Sequence, residues 1–201
     1  MPNLLRRDEP VGGAPARPMT VALAGNPNSG KTTIFNALTG ARQHVGNYPG
    51  VTVEMKEGVC RHGPTKITVV DLPGTYSLTA YSAEERVARD FIVHDHPDVV
   101  VDILDAGNLE RNLYLAVQIM ELGVPVVLAL NMWDVAQQRG LEFDLERLQG
   151  LLGARIVTTV GHKGTGKDDL LAAAVEVARK AKPPSGGRAG PGNGRCSRWL
   201  R

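Results

Sequence analysis

Gly25-Asn26-Pro27-Asn28-Ser29-Gly30-Lys31-Thr32 lies between an apolar run over residues 20–24 and an amphipathic pattern over 33–39. The first reads as a buried strand and the second as a helix. Strand, glycine-bearing loop and helix in that order are the context in which G-x-x-x-x-G-K-T becomes a phosphate-binding loop. The glycines let the chain bend so that successive backbone N–H groups point inward at phosphate oxygens. The helix N-terminus adds unpaired N–H groups and the positive end of its dipole. Lys31 supplies a point charge for the β- and γ-phosphates, and the Thr32 hydroxyl is placed to ligate Mg²⁺. The expected cradle runs from Gly25 through Thr33.

The surrounding 201 residues suit one ordinary domain with tails. Apolar residues make up 42% of the chain and aromatics only 4%, so the core must come from Val, Leu, Ile and Ala. No apolar run reaches the roughly 18 residues that cross a bilayer, and no secretory h-region follows Arg6-Arg7. Two distant cysteines, Cys60 and Cys196, form no framework, which points to a reduced, cytosolic protein. The net charge is +2, but Lys182 and four arginines with no acid put +5 in the last twenty residues, leaving the body at −3. A mildly acidic body does not read as a nucleic-acid binder. Residues 1–18, with four prolines, read as a disordered leader, residues 19–181 as the folded domain, and 182–201 as a solvated basic tail.

Three later stretches fall in line with the phosphate loop. Residues 41–54 form a Gly- and Pro-bearing loop too long for a tight turn. A loop of that length is usually functional. Thr52 is expected on Mg²⁺ and the γ-phosphate as the first switch, with Gly50 and Val51 beside it. Tyr48 either stacks on the base or anchors the loop. A hairpin over 53–70 then delivers Asp71-Leu72-Pro73-Gly74 at a strand's C-terminal end. Asp71 should hold Mg²⁺ directly or through water, and Gly74 should bring its N–H to the γ-phosphate. Residues 75–82 then behave as a second switch. Ser82 and Glu85 form a capping box for a helix over 83–94. A strand over 99–104, a helix over 108–122 and a central strand over 124–130 follow.

That central strand ends on Asn131-Met132-Trp133-Asp134. The Asp134 carboxylate, acceptor-only, pairs with guanine N1–H and N2–H₂ together, and adenine offers neither. ATP would leave the carboxylate unpaired. Asn131 would bridge this loop to the phosphate loop. A short helix over 141–152 and a strand over 154–160 lead to a closing helix over 165–180, with Leu170, Leu171, Ala174, Val175 and Ala178 on one face. Between strand and helix, Gly161-His162-Lys163-Gly164 should meet the base through backbone groups, with Val160 beside them.

These stretches, with D-A-G-N-L-E-R-N-L-Y-L over 105–115, resemble the cytosolic G domain of ferrous iron transport protein B from about Thr20 to about Lys180. The resemblance implies an α/β, Ras-like P-loop NTPase fold: a mixed, mostly parallel six-stranded sheet with helices on both faces. It implies GTP binding and hydrolysis to GDP with Mg²⁺, at the inner face of the cell membrane, in service of a membrane-embedded ferrous iron permease domain. Self-association through the switch regions is left open, and no nucleic acid is expected. Thr75 stands where many GTPases carry a water-orienting Gln, so intrinsic turnover should be slow. Asn28 stands where similar cation-activated GTPases help hold K⁺ against the phosphates. Met132 replaces a base-stacking Lys, which implies weak affinity and fast GDP release. Val160-Gly161 replace the usual Ser-Ala, so the hydroxyl that braces the base loop should be missing. The family continues into a helical regulatory domain and a polytopic membrane domain that this sequence does not carry. A designed fragment, a truncated product and a stand-alone G protein all stay open. The competing reading is a switch of the ribosome-assembly, RNA-associated type. His94 and His96, near Pro97, read as solvated; Cys60 and His62 fall on the hairpin edge and lack ligand partners.

Overall fold

The computed structural model describes residues 18–40 and 43–181. All but the last residue of the expected leader, and the whole tail with Cys196, lie outside the described residues. The chain runs β1 (Met19–Gly25), α1 (Lys31–Thr39), β2 (Gln43–Asn47), β3 (Glu54–His62), β4 (Thr65–Asp71), α2 (Ala83–Asp90), β5 (Val99–Asp105), α3 (Leu109–Glu121), β6 (Val126–Asn131), α4 (Trp133–Gln138), α5 (Leu145–Leu152), β7 (Arg155–Thr158) and α6 (Lys167–Lys180).

One sheet holds all the strands in the order β2-β3-β4-β1-β5-β6-β7. It has seven strands, not six. Gln43–Asn47, read from sequence as part of the first loop, pairs antiparallel with β3 from Gln43↔Gly58 to Asn47↔Glu54. Cross-strand pairing makes this strand; its own side chains, mostly exposed, have no apolar alternation to announce it. The β2–β3–β4 meander is antiparallel, and the remaining pairs are parallel.

The parallel strands β1, β4, β5 and β6 are near-continuous Val, Ile, Leu and Ala, because helices cover both faces. One face packs Ala22, Val70, Leu104 and Leu128 against Phe91, Ile92, Leu115 and Ile119. The other packs Val21, Leu23, Val101 and Val127 against Ile34 and Phe35 of α1 and Leu170, Leu171, Ala174 and Val175 of α6. Ala178 packs at the margin of that second cluster. Asp102, between Val100 and Leu104 on β5, is fully buried on the α3 side, and neither carboxylate oxygen has a hydrogen-bond partner. Burial pushes its carboxyl up to about 7.

The helix expected over 83–94 is α2 followed by a single π turn, Phe91–Asp95. Its N-terminal capping box is present: Glu85 N–H donates to Ser82 Oγ at 3.0 Å, and Ser82 N–H to Glu85 Oε2 at 3.5 Å. The helix expected over 141–152 starts later, where the Asp144 side chain accepts from Arg147 N–H at 2.9 Å.

Candidate nucleotide site

Register places the site. Leu23 pairs with Asp71, Gly25 with Ile103, Asp105 with Asn131 and Leu130 with Thr158. The C-terminal ends of the parallel strands therefore form one rim, and the loops that follow Gly25, Asp71, Asn131 and Thr158 leave from it. Ligands bind at this edge of open parallel sheets.

The loop 26–30 turns on residues in the left-handed region, Asn28 at φ 68° and Gly30 at φ 84°. Gly30 has a second reason to be glycine: a Cβ there would lie 2.2 Å from Asn131 Nδ2. Lys31, buried at the start of α1, forms an ion pair with Asp71 at the end of β4. Thr32 Oγ1 stands 3.4 Å from Asp71 Oδ2. Both are hard oxygen atoms, the donor type that Mg²⁺ takes. A pocket of about 600 Å³ opens here, lined by Asn26, Pro27, Asn28, Gly30, Lys31, Thr32, Thr33, Gly74 and Met132. At Gly74 a Cβ would meet Pro27 only at ordinary contact distance, 3.4 Å. The protein's own packing does not demand glycine there.

Asn131 is the junction of the rim. Its Nδ2 donates to the Ser29 carbonyl at 2.9 Å, and its Oδ1 accepts from Gly161 N–H at 3.0 Å and Thr159 Oγ1 at 3.2 Å. Phosphate loop, base loop and β6 are thus locked through one buried amide. Thr159 also corrects the expectation from Val160-Gly161. A hydroxyl does brace the base loop, supplied from one position earlier, and the Thr159 carbonyl accepts from Trp133 N–H at 3.2 Å. Val160 and Gly161 are buried, and His162 is exposed.

Asp134 lies in the first turn of α4, with Val135 N–H on its Oδ1 at 3.0 Å. Its Oδ2 accepts from Lys163 Nζ at 2.8 Å and faces His162 Nε2 at 3.7 Å. The Lys163 hydrogen bond first, and the neighbouring positive charge after it, hold this carboxyl below its ordinary value. Met132 sits just before α4 at φ 57°, a left-handed conformation unusual for a side-chain-bearing residue.

The first-switch residues stand apart. Thr52 is exposed between β2 and β3, and neither it nor Gly50 nor Val51 lines the phosphate pocket. Tyr48 packs against the α3-side core, and its N–H donates to the Val53 carbonyl at 2.9 Å, so it anchors the loop. Burial, with Asp95 and Asp90 behind it, raises its phenol. His94 and His96 are exposed, with His94 Nε2 4.0 Å from Asp90.

The second-switch loop is gathered by Glu85. Its carboxylate accepts from Ser77 Oγ at 2.8 Å, Tyr81 N–H at 2.9 Å and Thr79 Oγ1 at 3.2 Å, besides the capping contact. These donors, Ser77 first, hold it below its ordinary value. Sequence reading missed this loop-wide role of Glu85, the Thr159 brace and the Lys163 partner. The capping box was the only local signal for the first; the other two depend on contacts across the rim.

The family model described as Ferrous iron transport protein B matches residues 19–174. The Fe(2+) transport protein A/Fe(2+) transporter FeoB fusion protein of Porphyromonas gingivalis is 52% identical over 158 residues, 78% of this chain and 19% of that protein. Fe(2+) transporter FeoB of Escherichia coli is 47% identical over 156 residues, 76% and 20%. The solved FeoB G-domain of Methanococcus jannaschii matches with a TM-score of 0.72 at 45% identity, covering 80% of this chain and 97% of that one. The cytosolic domain of T. maritima FeoB in its GMPPNP form gives 0.79 at 44% identity, covering 82% and 65%. The chain spans about one fifth of the length of the curated relatives it matches. By its phosphate loop, its Asn131 junction and this match across most of its length, the chain belongs to the ferrous iron transport protein B family.

Proposed function

We propose that residues 19–181 are a G domain that binds GTP with Mg²⁺, hydrolyses it slowly to GDP, and thereby regulates ferrous iron uptake. The observation that carries this reading is Asn131, which ties Ser29 of the phosphate loop to Gly161 of the base loop at 2.9 and 3.0 Å. That tie supports a single ligand reached by both Lys31 and Asp134. The T. maritima relative has been solved in GDP and GMPPNP forms, which supports a guanine nucleotide.

In this reading the backbone of residues 26–31 cradles the phosphates, and Lys31 turns from Asp71 to the β- and γ-oxygens. Thr32 and Asp71, joined by Thr52 from its exposed loop, would hold Mg²⁺, with Gly50 and Val51 beside the nucleotide. That ion neutralises charge on the transferring phosphoryl group when bound. Gly74 offers its N–H to the γ-phosphate. Asn28 helps hold K⁺, whose charge takes the part of an arginine finger. Asp134 reads the guanine edge; Met132, Val160, Gly161 and His162 border the base. With Thr75 after Gly74, no amide side chain orients the attacking water, and turnover is slow.

No described helix is long and apolar enough to cross a membrane. The partner is a membrane-embedded Fe²⁺ permease domain, met at the inner face of the cell membrane, and contact between copies would run through the switches. Nothing specific favours the RNA-associated alternative. Titration with fluorescent GTP and ATP tests the reading: GTP binds and ATP does not, and equal affinity overturns it.

A further inference from the structure

The stretch 105–115 is the motif that the nucleotide site leaves without a use. Its first residues fix the entry to α3. Asp105 accepts from Gly107 N–H at 2.8 Å and Asn108 Nδ2 at 2.6 Å. Asn112 Oδ1 accepts from Asp105 N–H at 3.2 Å, while its Nδ2 donates to the Asn108 carbonyl at 2.8 Å. On a helix so anchored, Arg111 faces the second switch. Its guanidinium carbon lies 4.3 Å from the Tyr76 ring centroid. Its carbonyl accepts from the phosphate-loop Asn26 Nδ2 at 3.5 Å. Farther along α3, Gln118 Oε1 accepts from Leu78 N–H at 2.8 Å.

Helix α3 thus grips the segment just downstream of Gly74 at Tyr76 and again at Leu78. Thr75 N–H meanwhile donates to the Gly25 carbonyl at 3.2 Å. Just upstream of these ties Gly74 lies against Pro27 and lines the phosphate pocket.

We propose that Arg111 is a positioning residue for γ-phosphate recognition: stacked on Tyr76, it keeps Gly74 in the phosphate pocket, so that α3 favours triphosphate over diphosphate. The proposal rests on the nucleotide reading above. A segment held in place before the ligand arrives does not have to be ordered by it, and the saving appears in affinity. Only a ligand with a third phosphate meets Gly74, so only that ligand gains. A GDP contact would not sense the stack.

The test is a fluorescence titration of the full chain with mant-GMPPNP and mant-GDP. Arg111→Ala should weaken GMPPNP about two- to fivefold, the range of an exposed cation–π contact, and leave GDP affinity unchanged. Arg111→Lys keeps a cation over the ring and should recover most of the loss. Tyr76→Phe should behave as wild type, and Tyr76→Leu should reproduce Arg111→Ala from the other side of the stack. Retained GDP binding certifies that each variant is folded; should Arg111→Ala not fold, the Lys and Leu variants decide. Equal weakening of both ligands, or of neither, overturns the proposal. Wild-type protein that binds neither guanine nucleotide overturns the nucleotide reading itself, and this inference with it.

Discussion

Lys163 Nζ lies 2.8 Å from Asp134 Oδ2, so the carboxylate proposed to read the base has a partner within the protein. An arriving guanine must displace or share that ammonium. Lys163→Ala should therefore raise guanine-nucleotide affinity by a small factor, under about fivefold, the range of an exposed ion pair. The gain should shrink at high salt, where such pairs are screened. Stopped-flow binding at two ionic strengths measures both; a loss of affinity would assign Lys163 to the ligand instead.

Asp134→Asn changes an acceptor into a group that also donates. Guanine N2–H₂ then meets an N–H, and GTP affinity should fall about a hundredfold, the scale of a lost charged hydrogen bond. Xanthine carries a carbonyl in place of that amine. Xanthosine triphosphate should bind the variant better than GTP does, reversing the wild-type order. Competition against a fluorescent diphosphate reads the order directly.

Asn28 lines the phosphate pocket at φ 68°, where its amide can meet a cation beside the phosphates. Wild-type turnover should be about tenfold or more faster in K⁺ than in Na⁺, and Asn28→Ala should abolish that difference. Phosphate release assayed in the two salts gives the answer; equal wild-type rates would remove K⁺ from the scheme.

Asp102 makes stability depend on pH. Unfolded, its carboxyl titrates near 3.8; folded, at about 7. Between those values the folded chain keeps a proton that the unfolded chain has lost. Stability from this group therefore falls as pH rises through the window and levels off above about 7, a change of roughly 4 kcal/mol at most. Asp102→Asn keeps the shape and removes the charge. It should raise Tm by several degrees at pH 8 and by less at pH 5, which thermal melts at the two pH values will resolve. Equal gains would mean that the carboxylate finds a partner on ionising.

Much of this site was legible because its signals are local. Residues 25–32 carry their own strand, turn and helix, and Asp71 and Asn131 each end a strand that periodicity reveals. Strand β2 was not legible: Gln43–Asn47 is a polar segment whose extended form comes from pairing with β3. The brace from Thr159 and the partner at Lys163 were hidden for another reason. Both depend on which loops meet across the rim, and Asn131 reaches Ser29 over 102 positions. Asp102 passed as one polar letter in an apolar run, and only the packing of α3 over it gives it a consequence.

Glu85 ties the mouth of a loop and the start of a helix into one knot, with Ser77, Thr79, Tyr81 and Ser82 all fastened to a single carboxylate. Such a fastening does not loosen strand by strand. Pulling one donor away leaves the others aimed at an oxygen that has moved, and α2 loses its N-terminal cap at the same moment. Removing the Glu85 carboxylate would therefore free the donors of the loop after Gly74 and uncap α2 together.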